Sequence, residues 1–253
     1  MRIIDSLRGL AGAAIDLLAP PTCLACGADE MGDLSLCRRC RALVPPFPSD
    51  PCPRCAARLG PGAVADACDD CEKLRPKFTA AVAAAPYAGF VGEMIRRAKY
   101  GRDPLLAVPL ADLTRRALAG SPVRAGIDAV VPVPAHPGRA AERGFHLADL
   151  IAAAAAETVR APLHVDWLAR VAVGGEWPVP QASLQRTERR TAARGTVAMR
   201  RSRRPWARPP DPSGLCILVV DDVLTTGATV NECARVLLDA GAAEVRVAVA
   251  ARA

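Results

Sequence analysis

The sequence predicts an α/β fold, a parallel sheet flanked by helices behind a small cysteine-rich module. Three observations predict it. From residue 78 onward, short apolar runs alternate with longer amphipathic stretches, and the runs are rich in β-branched residues. Eight of the ten cysteines fall before residue 72, in four C-x-x-C pairs. One strongly apolar run, ILVV, leads directly into the polar stretch DDVLTTGATV, together residues 217–230. The composition of the 253 residues, 51% apolar and 23% charged, allows a buried core and argues against a disordered chain or a fibre.

In chain order, residues 1–20 predict an amphipathic helix with Ile3, Ile4, Leu7, Leu10, Ile15 and Leu18 on its apolar side. Asp5, Arg8 and Asp16 interrupt it, so it reads as neither a signal peptide nor a membrane span. Residues 21–76 hold the cysteine pairs, and residues 77–253 form the α/β domain. Within that domain, residues 80–87 read as a strand, and 90–99 and 104–119 as helices separated by Gly101 and Pro104. The run IDAVVPV (127–133) reads as a buried parallel strand, followed by a loop over 134–145 and an Ala-rich helix over 147–159. Residues 165–171 predict a strand. LCILVV (215–220) is the strongest strand signal in the chain. Residues 229–240 predict a helix stopped by Gly241, and 244–250 a last strand.

The cysteine pairs are Cys23/Cys26, Cys37/Cys40, Cys52/Cys55 and Cys68/Cys71, separated by 10, 11 and 12 residues. A C-x-x-C turn lets two thiolates converge on one ion, and two such turns supply a tetrahedral zinc site. Four turns therefore predict two Zn2+ ions. Sequential pairing is the simplest arrangement, and the spacing also allows an interleaved one. Disulfides need an oxidising compartment, and iron–sulfur ligation usually has less regular spacing. The segments between the pairs are too short to build a core, so metal binding, worth about 10–16 kcal/mol per structural zinc, must drive folding there. With every ligand a cysteine, no position is left for a reacting water, and the zinc role is structural. Cys216 and Cys233 stand apart and read as small buried hydrophobes.

The net charge of +7 is local. Residues 185–208 contain nine arginines and one acid, Glu188, a charge of +8, which leaves −1 for the rest of the chain. Such a segment can bind phosphates, on nucleotides or on nucleic acid, or it can be a solvated loop.

The chemistry concentrates in residues 217–230. A buried strand leads to two adjacent carboxylates, Asp221 and Asp222, then Val223 and Leu224, then the turn Thr225, Thr226, Gly227, Ala228, Thr229 that opens a helix. Backbone amides of such a turn and a helix N-terminus form an anion nest, to which three threonine hydroxyls add donors. Gly227 allows close backbone approach. The neighbouring acid pair suits a diol, alone or with a divalent cation, and repels a second phosphate. A ligand with one phosphate and a nearby diol is a ribose 5-phosphate. The Walker A and dinucleotide glycine patterns are absent.

This segment resembles the 13-residue phosphoribosyl pyrophosphate (PRPP) signature of type I phosphoribosyltransferases. Together with the eight cysteines, AKYGR (98–102), VPVPAHPGRAAERGFHLADL (131–150) and PQASLQRTERRTAARGTV (180–197), it resembles the ComF family over nearly the whole chain. In that family a double zinc ribbon precedes a type I phosphoribosyltransferase-like domain. The resemblance implies that Asp221 and Asp222 contact the ribose hydroxyls and that residues 223–229 hold the 5-phosphate. It implies that Lys99, Arg139, Arg143 and Gly144 meet the pyrophosphate. A mobile hood containing Gln181, Arg189 and Arg194 would close over the site. Mg2+ would ride on PRPP, the class would be glycosyltransferase, and the acceptor is unassigned. The family's link to natural competence implies a second function, handling of single-stranded DNA during uptake without turnover. A third reading is a PRPP sensor. Cytoplasmic residence is expected from reduced thiols and the substrate. His146, Ala192 and Val197 depart from the family's usual Asn, Asn and aromatic, which touches any shared acceptor contact and leaves the phosphate cradle intact.

Overall fold

In this computed structural model, residues 22–29, 35–59, 68–173, 193–200 and 209–253 are described. The expected N-terminal helix, Gln181, Arg189 and most of the arginine-rich segment lie outside them. The chain divides into two compact units, Met1–Val44 and Pro45–Ala253. The smaller unit contains the helix α1 (Arg38–Ala42), which Cys37 caps at its N-terminus. The larger unit begins with the third cysteine pair and the helix α2 (Asp69–Leu74), which follows Cys68.

Next come β1 (Ala80–Pro86), α3 (Gly89–Tyr100) and, after a 3-10 turn at Pro104–Leu106, α4 (Ala107–Ala119). The chain continues through β2 (Ala129–Pro132), α5 (Pro137–Arg143), α6 (Leu147–Val159), β3 (Leu168–Arg170), β4 (Val197–Met199), β5 (Cys216–Leu224), α7 (Ala228–Asp239) and β6 (Glu244–Arg252). Four strands form one sheet in the order β1-β6-β5-β2, and every pairing is parallel. β3 and β4 form a separate antiparallel pair.

The central strands show why their sequences are continuously apolar. Ile217 through Val220 on β5 and Val247 through Ala251 on β6 are fully buried on both faces. Successive side chains alternate across the sheet. Residues 81, 83, 129, 131, 217, 219, 245, 247 and 249 join one core with Val230, Cys233, Ala234 and Leu237 of α7. Trp167, Leu168 and Val197 of the antiparallel pair enter the same core, and so do Cys52, Cys55, Ala56, Ala57 and Cys68. Helices α4 and α6 pack on each other and on the sheet.

Three local expectations are corrected. Residues 134–145 are not all loop, because α5 occupies Pro137–Arg143. The signals are visible in retrospect: a proline at the first helical position and Gly144 just past the end, at φ +74°. The strand expected at 165–171 shrinks to Leu168–Arg170 and pairs with β4, which no sequence pattern indicated. The strand expected to stop at 220 runs on to Leu224, because Asp221, Val223 and Leu224 keep their register with Val249, Ala251 and Arg252.

Candidate functional site

β2 and β5 run side by side up to Pro132, which is in register with Val220, the Val133 amide donating to the Val220 carbonyl at 2.8 Å, and β5 continues to Leu224. The loop after β2 and the turn after β5 thus leave the same edge of the sheet, where parallel α/β folds place their ligands. The β5 turn is sharply built. Gly227 takes φ +76° and forms the N-cap of α7. The Asn231 amide donates to the Gly227 carbonyl at 2.8 Å, and the Thr226 hydroxyl accepts from the Ala228 amide at 3.4 Å. Thr226 and Thr229 are buried. The first turn of α7 directs its amides and the positive end of its dipole into this bend. An ideal Cβ on Gly227 would lie 2.6 Å from Leu74 Cδ2, so any side chain there would have to push the Leu74 methyl aside.

The two carboxylates differ in environment. Asp222 is buried and accepts a hydrogen bond from Lys99 Nζ at 2.7 Å. Lys99 stands in the last turn of α3, and the Asp222 and Asp221 charges hold its ammonium above the ordinary lysine value although burial opposes them. Burial, and then the Asp222 charge, push the Asp221 carboxyl up to about 7, with Lys99 pulling the other way. One carboxylate is therefore neutralised by a lysine, while the other holds its proton near neutrality until a cation or a donor arrives.

The remaining candidates are distributed as follows. Arg139 and Arg143 belong to α5, directly beyond β2, and their side chains lie outside the described structure. Gly144 ends α5. Arg194 is exposed, in the turn before β4, next to Gly195, whose amide donates to Glu232 Oε1 of α7 at 2.7 Å. His146 Nδ1 lies 2.8 Å from Asp149 Oδ1 at the start of α6.

Two residues escape sequence reasoning. Arg170 of β3 donates to the Pro134 carbonyl at 3.3 Å, the Thr196 hydroxyl at 3.0 Å and the Thr229 hydroxyl at 3.5 Å. It therefore joins the β2 loop, the antiparallel pair and the β5 turn. Arg252, the last residue of β6, is buried and donates to the Leu224 and Thr225 carbonyls at 3.1 and 2.7 Å. The sequence signal for Arg252 is an arginine that follows the apolar run 247–251 at the end of β6.

The cysteines form two quartets, Cys23, Cys26, Cys37, Cys40 and Cys52, Cys55, Cys68, Cys71, with each set's sulfurs within 4.8 Å of one another. The pairing is sequential. Close sulfur pairs are 3.7 Å (Cys26–Cys37), 3.7 Å (Cys52–Cys71) and 3.6 Å (Cys55–Cys68). Four sulfurs placed tetrahedrally at about 2.3 Å from zinc lie about 3.8 Å apart, whereas a disulfide would bring two sulfurs to about 2.05 Å. The quartets repeat one design. Cys23 and Cys52 each open a turn in which a carbonyl accepts at 2.8 Å from the residue four places on, Gly27 and Ala56. Both of those residues take positive φ. Cys37 and Cys68 then stand at the N-caps of α1 and α2. Burial and neighbouring sulfurs push the Cys40 and Cys71 thiols strongly up, the behaviour of crowded ligands that a cation would neutralise.

Comparison with known proteins agrees with this geometry. The double zinc ribbon domain matches residues 14–72, and the phosphoribosyl transferase domain matches residues 142–253. The chain is 26% identical over 231 residues to Competence protein F of Haemophilus influenzae, covering 89% of this chain and 94% of that protein. It is 26% identical over 228 residues to DNA utilization protein YhgH of Salmonella typhimurium, covering 89% and 87%. It is 28% identical over 183 residues to YhgH of Escherichia coli K12, covering 71% and 75%. Two zinc-binding cysteine quartets thus stand ahead of a phosphoribosyltransferase domain built on a four-stranded parallel sheet, the domain order that the resemblance to the ComF family implies.

Proposed function

We propose that this protein binds PRPP, or a related phosphoribosyl compound, in the crevice at the ends of β2 and β5, and acts there as a Mg2+-dependent phosphoribosyltransferase-like protein. The observation that carries this reading is the joining of the Gly227 bend to the Asp221/Asp222 pair on one strand end. The bend takes the 5-phosphate through backbone amides and the hydroxyls of Thr225, Thr226 and Thr229. Asp221 and Asp222 accept from the ribose 2- and 3-hydroxyls. Lys99 places a positive charge beside them, and Arg139, Arg143, Gln181, Arg189 and Arg194 would supply donors to the pyrophosphate. The two carboxylates are hard oxygen donors that suit Mg2+, which when bound with PRPP would act as a Lewis acid on the leaving pyrophosphate. This chain's part is then to fix the ribose and to surround the departing charge with donors. The acceptor is left open.

Titration calorimetry with PRPP in millimolar Mg2+ tests the reading. Wild type should bind, and Asp222→Asn should lose binding. Absence of wild-type binding would overturn it.

A second reading has its own support. Relatives carry the names Competence protein F and DNA utilization protein, and the nine arginines within 185–208 supply a phosphate-binding charge. On this reading the protein handles single-stranded DNA, with the zinc ribbon and the basic segment as contacts. Either activity fits a cytoplasmic protein with zinc-bound thiols. Among the described residues no helix is long and apolar enough to cross a membrane.

A further inference from the structure

The second cysteine quartet is built into the back of the phosphate bend. Arg252 is the link. Its Nε donates to the Cys55 carbonyl at 3.1 Å, and its Nη1 donates to the carbonyls of Leu224, Thr225 and Ala253. Its Nη2 pairs at 2.5 Å with Asp70 Oδ2, on α2 between Cys68 and Cys71. The guanidinium side chain is 6% exposed, so these bonds are made away from water, where each is strong and hard to replace.

Two further contacts tie the same two parts, and a third ties the quartet to β1. Leu74, at the end of α2, fills the space that a Cβ on Gly227 would need. The Lys77 amide donates to Asn231 Oδ1 in the first turn of α7 at 2.6 Å. The Ala81 amide of β1 donates to the Pro53 carbonyl between Cys52 and Cys55 at 3.2 Å.

We infer that Arg252 is a positioning residue for the phosphate bend, and that metal occupancy of the Cys52/Cys55/Cys68/Cys71 quartet sets the bend's shape and hence its affinity for a phosphate ester. The physical reason is geometric. Metal fixes the Cys55 carbonyl and the Asp70 carboxylate, and Arg252 carries that fixed frame to the Leu224 and Thr225 carbonyls. Without metal, the turns around the quartet keep their packing against the α/β core and lose the ion that holds the Cys52/Cys55 and Cys68/Cys71 turns to one another. The first quartet belongs to the other compact unit, and none of these bonds involves it. Loss of the second zinc would weaken phosphoribosyl binding, and loss of the first would not. The affinity statement rests on the proposed PRPP site; the statement about the shape of the bend does not.

The test uses the full-length protein and two readouts: amide hydrogen exchange of residues 224–229 without ligand, and PRPP affinity by calorimetry. Cys71→Ser should remove one zinc, speed exchange across 224–229 and weaken PRPP binding at least tenfold, while β5 and β6 stay protected. Cys26→Ser should also remove one zinc and leave both readouts at wild-type values. Asp70→Asn, which keeps all ligands and deletes one bond of the linkage, should give a smaller change of the same kind. Arg252→Lys should resemble Cys71→Ser in exchange while retaining both zinc ions. Unchanged exchange at 224–229 in Cys71→Ser overturns the inference. So does loss of protection throughout β5 and β6, which would make the quartet a general stability element. If wild type fails to bind PRPP, the proposed ligand falls and the exchange readout still decides the linkage.

Discussion

Lys99 Nζ lies 2.7 Å from Asp222 Oδ1, a contact that spans 123 residues and brings the end of α3 onto the end of β5. The Asp222 side chain is only 8% exposed. Removing the lysine leaves a buried carboxylate without its counter-charge beside a second acid. Lys99→Met should therefore cost about 2–3 kcal/mol in urea denaturation, near the lower end for breaking buried pairs. Adding Asp222→Asn should restore part of that loss. A single variant as stable as wild type would show that the pair adds nothing.

Asp221 makes stability depend on pH. Its carboxyl is raised from 3.8 to about 7 in the folded chain. Between those values the folded state keeps a proton that the unfolded state has released. The stability it contributes is full below about pH 4 and is lost as pH rises to about 7. Asp221→Asn should flatten this decline and raise the thermal midpoint at pH 8 by several degrees, on the order of 1–2 kcal/mol. Parallel midpoint-against-pH curves for the two proteins would refute the assignment.

Gly227 is held by two independent constraints, its φ of +76° and the Leu74 methyl 2.6 Å from the missing Cβ. Gly227→Ala should destabilise by about 2 kcal/mol, roughly 1–2 of it from the left-handed backbone. Leu74→Ala on top should recover the steric part and leave the backbone part, so a double-mutant cycle should show favourable coupling. Simple additivity would mean that Leu74 yields freely.

The sequential quartets predict a zinc stoichiometry. Wild type should hold two ions, and Cys26→Ser should keep one, bound by Cys52, Cys55, Cys68 and Cys71. A single cluster shared by all eight thiolates would lose both ions. Because protons compete for the thiolates, zinc should leave as pH falls, and an absorbing chelator can follow its release.

The DNA-handling reading predicts single-strand binding that weakens steeply with salt. Replacing Arg200, Arg201, Arg203 and Arg204 by alanine should make log affinity fall less steeply with log salt, in proportion to the number of phosphates those four side chains neutralise. An unchanged slope would exclude the basic segment as the contact.

Local chemistry made several things legible in the sequence. The four C-x-x-C pairs marked the metal-binding module, since each turn brings two thiols together and the regular spacing favours zinc over iron–sulfur ligation. The run ILVV followed by DDVLTTGATV named the strand, the acid pair and the glycine turn into a helix, because those properties depend on neighbouring residues alone. Helix α6 appeared at 147–159 as its alanine-rich pattern predicts. What only the tertiary structure decided is which distant groups meet. It paired the quartets in order, set Lys99 against Asp222, placed Arg170 across three segments and put Arg252 between a cysteine turn and the turn after β5. No periodicity encodes such contacts, because a single charged residue in a strand finds its acceptors through the packing of elements far apart in the chain.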